Sequence, residues 1–355
     1  MGQARRVFAA LAALGAMALG AGAAQARDVG GVVCTTPQPV RCDGEGCVQG
    51  GALADLGNAT DPKTGRKFFL DYPCDLKSGE KVTFILNIHG AGSIGNWQRH
   101  YFPAPDYVEK YRLVVATPTA ATLNKFPGAE GPGVRMWMPA ADDQHLQNIT
   151  DFVFDAFGRE NIKAMWLAGH SQGGFTSRRI ICSDYFKGKV DGLLSLSGGR
   201  IGQAPIDPRF GPPKADGSPP DPRPPGRSIM NQDELPTCDF SHIYESGSHE
   251  ITSLPDTSPW AAKYHCDARV RREDIVDDTP GHVWDYARAG YPVWGMKARP
   301  GTAEAFVYPK CDGGRVVADF VRQDKGHTEG LEPHVTEAII KLIVSAPGGK
   351  AQAGG

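Results

Sequence analysis

Short apolar runs alternate along this chain with longer segments in which apolar residues recur at helical spacing. Residues 82–88 (Val-Thr-Phe-Ile-Leu-Asn-Ile) are almost continuously apolar, as a strand buried on both faces requires. Similar runs at 113–116, 164–168, 193–196, 241–244 and 316–321 predict further strands. Residues 293–297 and 303–308 flank Pro300-Gly301 and predict a hairpin. A helix is predicted where Leu146, Ile149, Val153, Ala156 and Phe157 share one face, with Asp142 and Asp143 near its start and Gly158 as a stop. A second helix follows Ser171 and runs to Cys182. A third, opened near Pro333, aligns Val335, Ala338, Ile339, Leu342 and Ile343. Strands alternating with helices define an α/β chain with a mostly parallel central sheet and helices on both faces. No internal repeat is visible.

The periodic region is framed by less regular segments. Residues 1–26 read as a signal peptide: Arg5-Arg6, then an Ala- and Leu-rich apolar run, then Ala24-Gln25-Ala26 as a small-x-small cleavage site. Residues 27–80 are rich in turn formers and read as a disulfide-rich extension packed on the core. Residues 81–345 form the main domain. Within it, 200–236 is an insertion with nine prolines between Pro205 and Pro225, read as a long surface loop or a lid. Residues 346–355 are expected to be a flexible tail.

Charge and cysteine content narrow the class. The 355 residues carry a net charge of only -2, which gives no electrostatic case for nucleic acid or for a membrane surface as partner. No segment after the leader is apolar for long enough to cross a bilayer. All eight cysteines follow the leader, and an even number in an exported chain reads as disulfides. The absence of a C-x-x-C pair speaks against zinc or thioredoxin-like chemistry. Cys34, Cys42, Cys47 and Cys74 lie close enough in sequence to pair among themselves. Localisation is therefore expected to be secreted or periplasmic.

The chemistry centres on Gly169-His170-Ser171-Gln172-Gly173, which follows a predicted strand and opens a predicted helix. Small residues around a serine at that junction allow a sharp bend that lifts its hydroxyl clear of the sheet edge, so Ser171 is the candidate nucleophile. His89-Gly90-Ala91-Gly92 closes an earlier strand. An oxyanion needs two fixed donors, and the N–H groups of Ala91 and Gln172 are the candidates. The chain order nucleophile, acid, base places the histidine after the last strand, and His327 in Lys325-Gly326-His327 meets that requirement. The acid belongs in the loop after 241–244, where Glu245, Glu250 and Asp256 compete and Glu250 is preferred. A metal site from His327, Glu329 and His334 matches no zinc spacing, so no metal and no cofactor are expected. Trp97 and Trp137, with Tyr101 and Trp260 as further candidates, could line the substrate pocket.

These motifs resemble the secreted polyhydroxybutyrate depolymerase and feruloyl-esterase-like branch of the α/β-hydrolases. The resemblance runs from about residue 82 to the terminal helix. It rests on the His-Gly loop at His89, the helix led by Asp142-Asp143, residues 169–174, the 260–266 segment, the Cys311-Asp312-Gly313-Gly314 turn and Gly326-His327. It implies an α/β-hydrolase fold and cleavage of carboxylic esters through an acyl-enzyme, on a small molecule or a polymer. It also implies a Cys266–Cys311 disulfide, and position then suggests Cys182 with Cys238. The chain departs from the pattern in carrying Glu250 where Asp is usual, in the His-Ser-Gln elbow, and in the Pro-rich insertion. A polyester or oxidised synthetic polymer, an amide, or a C–C bond next to a carbonyl are the alternative substrates, because the triad does not dictate the leaving group.

Overall fold

The computed structural model describes residues 28–34, 57–125, 133–202, 204–209, 235–283, 292–295 and 297–353. The expected signal peptide, Cys42, Cys47 and most of the Pro-rich insertion lie outside the described residues.

Among these residues one sheet of 11 strands dominates. In chain order they are β1 (Ala59–Thr60), β2 (Lys67–Asp71), β3 (Val82–Ile88), β4 (Leu113–Pro118), β5 (Ile162–His170) and β6 (Gly192–Leu196). After them come β7 (Ser241–Gly247), β8 (Val270–Arg271), β9 (Ile275–Val276), β10 (Thr302–Tyr308) and β11 (Val317–Arg322). The spatial order is β8-β10-β11-β7-β6-β5-β3-β4-β2-β1, with β9 also pairing β10. From β4 through β3, β5, β6 and β7 to β11, every neighbouring pair is parallel. The outer pairings, β4 with β2 and β11 with β10, are antiparallel.

Period-two packing on the central strands explains the unbroken apolar runs. On β3, Val82, Phe84, Leu86 and Ile88 enter one apolar cluster and Ile85 enters the other, so both faces are buried. The first face is covered by α3 (Pro139–Phe157), through Leu146, Ile149, Val153 and Phe154. Ile180 and Ile181 of α4 (Gln172–Ile181) join it there. The second face is covered by Trp97 and Tyr101 of α1 (Gly95–Tyr101), by Val108 of α2 (Val108–Tyr111) and by Val335, Ile339, Ile340 and Ile343 of the long C-terminal helix Pro333–Ser345.

Several elements differ from the sequence expectation. Helix α3 begins at Pro139, three residues before Asp142, because proline fits the first helical turn. Asp142 acts from inside that turn, accepting the Met138 N–H at 2.9 Å. The strand at 302–308 pairs with β11, not with 293–297, so the predicted hairpin partner is wrong: Val293 and Trp294 instead offer their carbonyls to the loop after β11. Residues 346–353 of the expected tail are held, not free. Residues Lys350–Ala353 form a helical turn with Ala351 fully buried, and Gly349 N–H donates to Lys163 O at 3.0 Å. Disulfides join Cys34 to Cys74, Cys182 to Cys238 and Cys266 to Cys311.

Candidate active site

Strands that run parallel end on the same side of a sheet, and here four of those ends carry the residues singled out by their chemistry. Ile88 at the end of β3 is level with Gly169, and Leu196 at the end of β6 is level with both His170 and Glu245. The loops after β3, β5, β7 and β11 therefore converge.

Ser171 sits at φ 51°, ψ -118°, between β5 and α4. A non-glycine residue there is strained, and the surroundings must hold it. Its N–H donates to Leu196 O at 2.9 Å, which anchors the bend to β6. The close fit also needs glycines. A Cβ on Gly173 would lie 2.1 Å from Ile88 O, and one on Gly90 would lie 2.7 Å from His170 Nδ1 and 3.2 Å from Ser171 Cβ. The loop after β3 is thus pressed against the elbow.

That loop is shaped by its own histidine. His89 is fully buried and accepts the Ala120 N–H at Nε2 (2.9 Å), so its proton resides on Nδ1, which donates to Gly90 O at 2.7 Å. Burial pushes the His89 pKa down to about 4, keeping the ring neutral. The Gly90 carbonyl belongs to the same planar peptide as the Ala91 N–H, so fixing one aims the other in the opposite direction. Ala91, Ser171 and Gln172 are all half-buried and reachable from solvent.

On the far side, His327 Nδ1 donates to Glu250 Oε2 at 2.6 Å. Glu250 Oε1 accepts from Ser197 Oγ at 2.7 Å and from Gly247 N–H at 2.8 Å. The Tyr101 hydroxyl lies 3.2 Å from Ser197 Oγ and donates to it, because the serine proton is already committed to Glu250. Burial raises the Glu250 pKa, but the His327 imidazole and the Ser197 and Gly247 hydrogen bonds outweigh it, and the net shift is downward. Glu250 is therefore a carboxylate at neutral pH. Its rivals are elsewhere engaged: Glu245 pairs with Arg322 at 2.5 Å, and Asp256 with Arg269.

The His327 loop is tied on several sides. His327 N–H donates to Val293 O at 3.0 Å, and Arg322 donates to Glu329 O and Gly330 O at 2.7 and 3.1 Å. His170, between Gly169 and Ser171, reaches across and donates from Nε2 to His327 O at 2.8 Å. Burial, with the neighbouring His327 as a lesser cause, lowers the His170 pKa well below the usual histidine value. His170 is thus a neutral cross-link between the elbow and the His327 loop.

The aromatic expectations need revision. Trp97 and Trp137 are 2% and 3% exposed, so neither offers a ring face to a ligand; Tyr101 and Trp260 are also buried. Tyr101 stacks on His170 with ring centroids 3.8 Å apart. The aromatic beside His327 is half-buried Trp294, whose ring stands edge-on at 5.3 Å. Reading 293–297 as a strand hides this residue from the sequence. Among the described residues no group of three His, Cys, Asp or Glu side chains is arranged to hold a metal ion. His334 faces away, donating to Val276 O at 2.8 Å.

The strand order, the serine elbow after β5, the carboxylate after β7 and the histidine after β11 define an α/β-hydrolase fold. No protein-family profile matches the chain, and no curated protein matches it significantly. Solved structures similar to it include the substrate-bound fluorophosphonate-binding serine hydrolase FphF of Staphylococcus aureus. That match has 15% identity and a TM-score of 0.32, and covers 52% of this chain and 75% of that one. A butyrate-bound esterase of Thermogutta terrifontis matches at 14% identity and TM-score 0.29, over 51% of this chain and 66% of that one. A soluble variant of monoglyceride lipase from Saccharomyces cerevisiae matches at 16% and 0.29, over 40% and 41%.

Proposed function

We propose that this chain is an exported serine hydrolase that cleaves carboxylic esters through an acyl-enzyme. The observation that carries the proposal is the strained Ser171 bend, cross-linked through His170 to the loop whose imidazole bonds a buried carboxylate. His327 takes the Ser171 proton as Oγ attacks the ester carbonyl carbon. The oxyanion is received by the N–H groups of Ala91 and Gln172; the latter is in the first turn of α4, where no intrahelical acceptor exists. The C–O bond to the alcohol breaks, and His327 returns the proton to the leaving oxygen. Water, deprotonated by His327, then releases the acid and frees Ser171.

Glu250 holds the His327 tautomer that leaves Nε2 open to accept that proton. Export is supported by the leader-like N-terminal sequence and by three disulfides. Among the described residues no helix is long and apolar enough to cross a membrane. The finer placement among polyhydroxybutyrate depolymerase-like and feruloyl-esterase-like enzymes rests on the sequence motifs alone.

The test is labelling by a fluorophosphonate together with turnover of p-nitrophenyl esters. Ser171→Ala is expected to abolish labelling and to lower kcat by roughly 10⁵- to 10⁶-fold. Ester turnover undiminished in that variant would overturn the proposal. Release of oligomers from a polyester film, compared with soluble esters, decides between polymer and small-molecule substrates.

A further inference from the structure

We propose that Trp137 and the Gln172 side chain form a strut that sets the separation of the two oxyanion donors, making both of them positioning residues and not walls of the substrate pocket. The inference rests on the ester-hydrolase reading above and goes beyond it.

All three polar groups of Trp137 are committed. Its backbone N–H donates to Gln172 Oε1 at 3.0 Å, and its carbonyl accepts from Gln172 Nε2 at 3.3 Å. The side-chain amide of Gln172 thus pairs with one backbone unit as a neighbouring strand would. The Trp137 indole N–H donates to His89 O at 2.7 Å, and the ring lies against the His89 imidazole at 4.8 Å. One residue therefore grips both halves of the oxyanion site. Gln172 supplies one donor from its own backbone, and His89 aims the Ala91 N–H through Gly90 O.

The sequence around the site explains why a strut is needed. Gln172 rides on helix α4, but Ala91 lies between two glycines in a short loop, which by itself leaves its peptide orientation loosely defined. A second tie keeps the loop from drifting: Gly92 N–H donates to Arg135 O at 2.8 Å, two residues before Trp137. Oxyanion stabilisation depends on donors placed within a few tenths of an ångström before reaction, so loss of this bracing weakens transition-state binding more than ground-state binding.

Two substitutions test this by different routes. Trp137→Phe keeps one aromatic ring but removes the indole N–H together with the fused five-membered ring that carries it. Gln172→Met keeps length and the backbone N–H but removes both amide hydrogen bonds. Steady-state kinetics on p-nitrophenyl acetate, butyrate and octanoate would be measured with the melting temperature and the Ki of a boronic acid that forms a tetrahedral adduct on serine. Each variant is expected to lower kcat by roughly tenfold or more with KM within about twofold, and to weaken the boronic acid by a matching factor. The double variant is expected to be no worse than the poorer single one, because the strut acts as a unit. Gln172, being half-buried, gives a variant that remains informative if the tryptophan change disturbs folding. Wild-type kcat in a folded Gln172→Met variant overturns the inference, as does a loss seen only in KM that grows with acyl length. Wild-type protein that neither labels with fluorophosphonate nor turns over esters overturns the hydrolase reading itself, and this inference with it.

Discussion

Replacing Glu250 by glutamine changes one atom, and the hydrogen bonds around that atom decide the chemical outcome. Oε1 receives two donors, Ser197 Oγ–H and Gly247 N–H, so in the variant the amide oxygen must occupy that position. The NH₂ group then faces His327 Nδ1, where Oε2 accepted at 2.6 Å. Two donors cannot meet, so the imidazole is driven to the tautomer with Nδ1 bare and Nε2 protonated. That tautomer cannot accept the Ser171 proton. The corresponding change in a serine protease triad costs about 10⁴-fold in kcat, or roughly 5.5 kcal/mol, and a similar loss is expected here. The assay is kcat on p-nitrophenyl butyrate, with fluorophosphonate labelling rate as an independent readout.

Stability obeys a separate rule for this variant. The native carboxylate is held below its ordinary pKa of 4.5, so its stabilising contribution is present above that value and fades as pH falls through the native pKa. Glu250→Gln should therefore be less stable than wild type at pH 7, with the gap closing in acid. A folded variant retaining more than roughly a tenth of wild-type kcat would refute the assigned role of Glu250.

Acid should destabilise the whole protein by a second route. His89 and His242 are fully buried and pushed down to about 4 and about 3, chiefly by burial. A folded pKa below the unfolded 6.5 makes the unfolded chain bind more protons, so stability is full above 6.5 and declines toward the folded pKa. The His89 shift alone corresponds to about 3 kcal/mol. Urea midpoints unchanged between pH 7.5 and 4.5 would contradict this. Trp294→Ala removes the ring standing edge-on to His327 and is expected to lower kcat/KM by roughly two- to tenfold, the worth of one ring contact. An unaltered kcat/KM would remove Trp294 from the site.

Much of the architecture was legible because strands buried on both faces leave an unmistakable apolar run. The 82–88 strand has the predicted bounds, and 193–196 and 303–308 differ by one residue at one end. The Ser171 elbow was legible for a different reason: a serine in G-x-S-x-G between an apolar strand and a helix combines the motif with the local context that it requires. The pairing of 302–308 with β11 was not, because an antiparallel partner depends on register across the sheet and not on local pattern. Nor was the role of Trp137. An aromatic near a motif reads equally as pocket or brace, and only its committed N–H groups and 3% exposure distinguish them. Glu250 could be ranked but not chosen from sequence. The competing Glu245 is disqualified by Arg322, 77 residues further along the chain.

The bridge between Cys182 and Cys238 has a topological consequence. It joins the end of α4 to the residues just before β7, enclosing β6, Ser197 and the proline-rich stretch in one covalent ring. A single backbone cut within that ring opens a new pair of termini yet releases no fragment. The nicked molecule keeps Ser171 on one side of the cut and His327 on the other, still tethered by sulfur. A break among those prolines therefore leaves a single covalent molecule for as long as the bridge is oxidised.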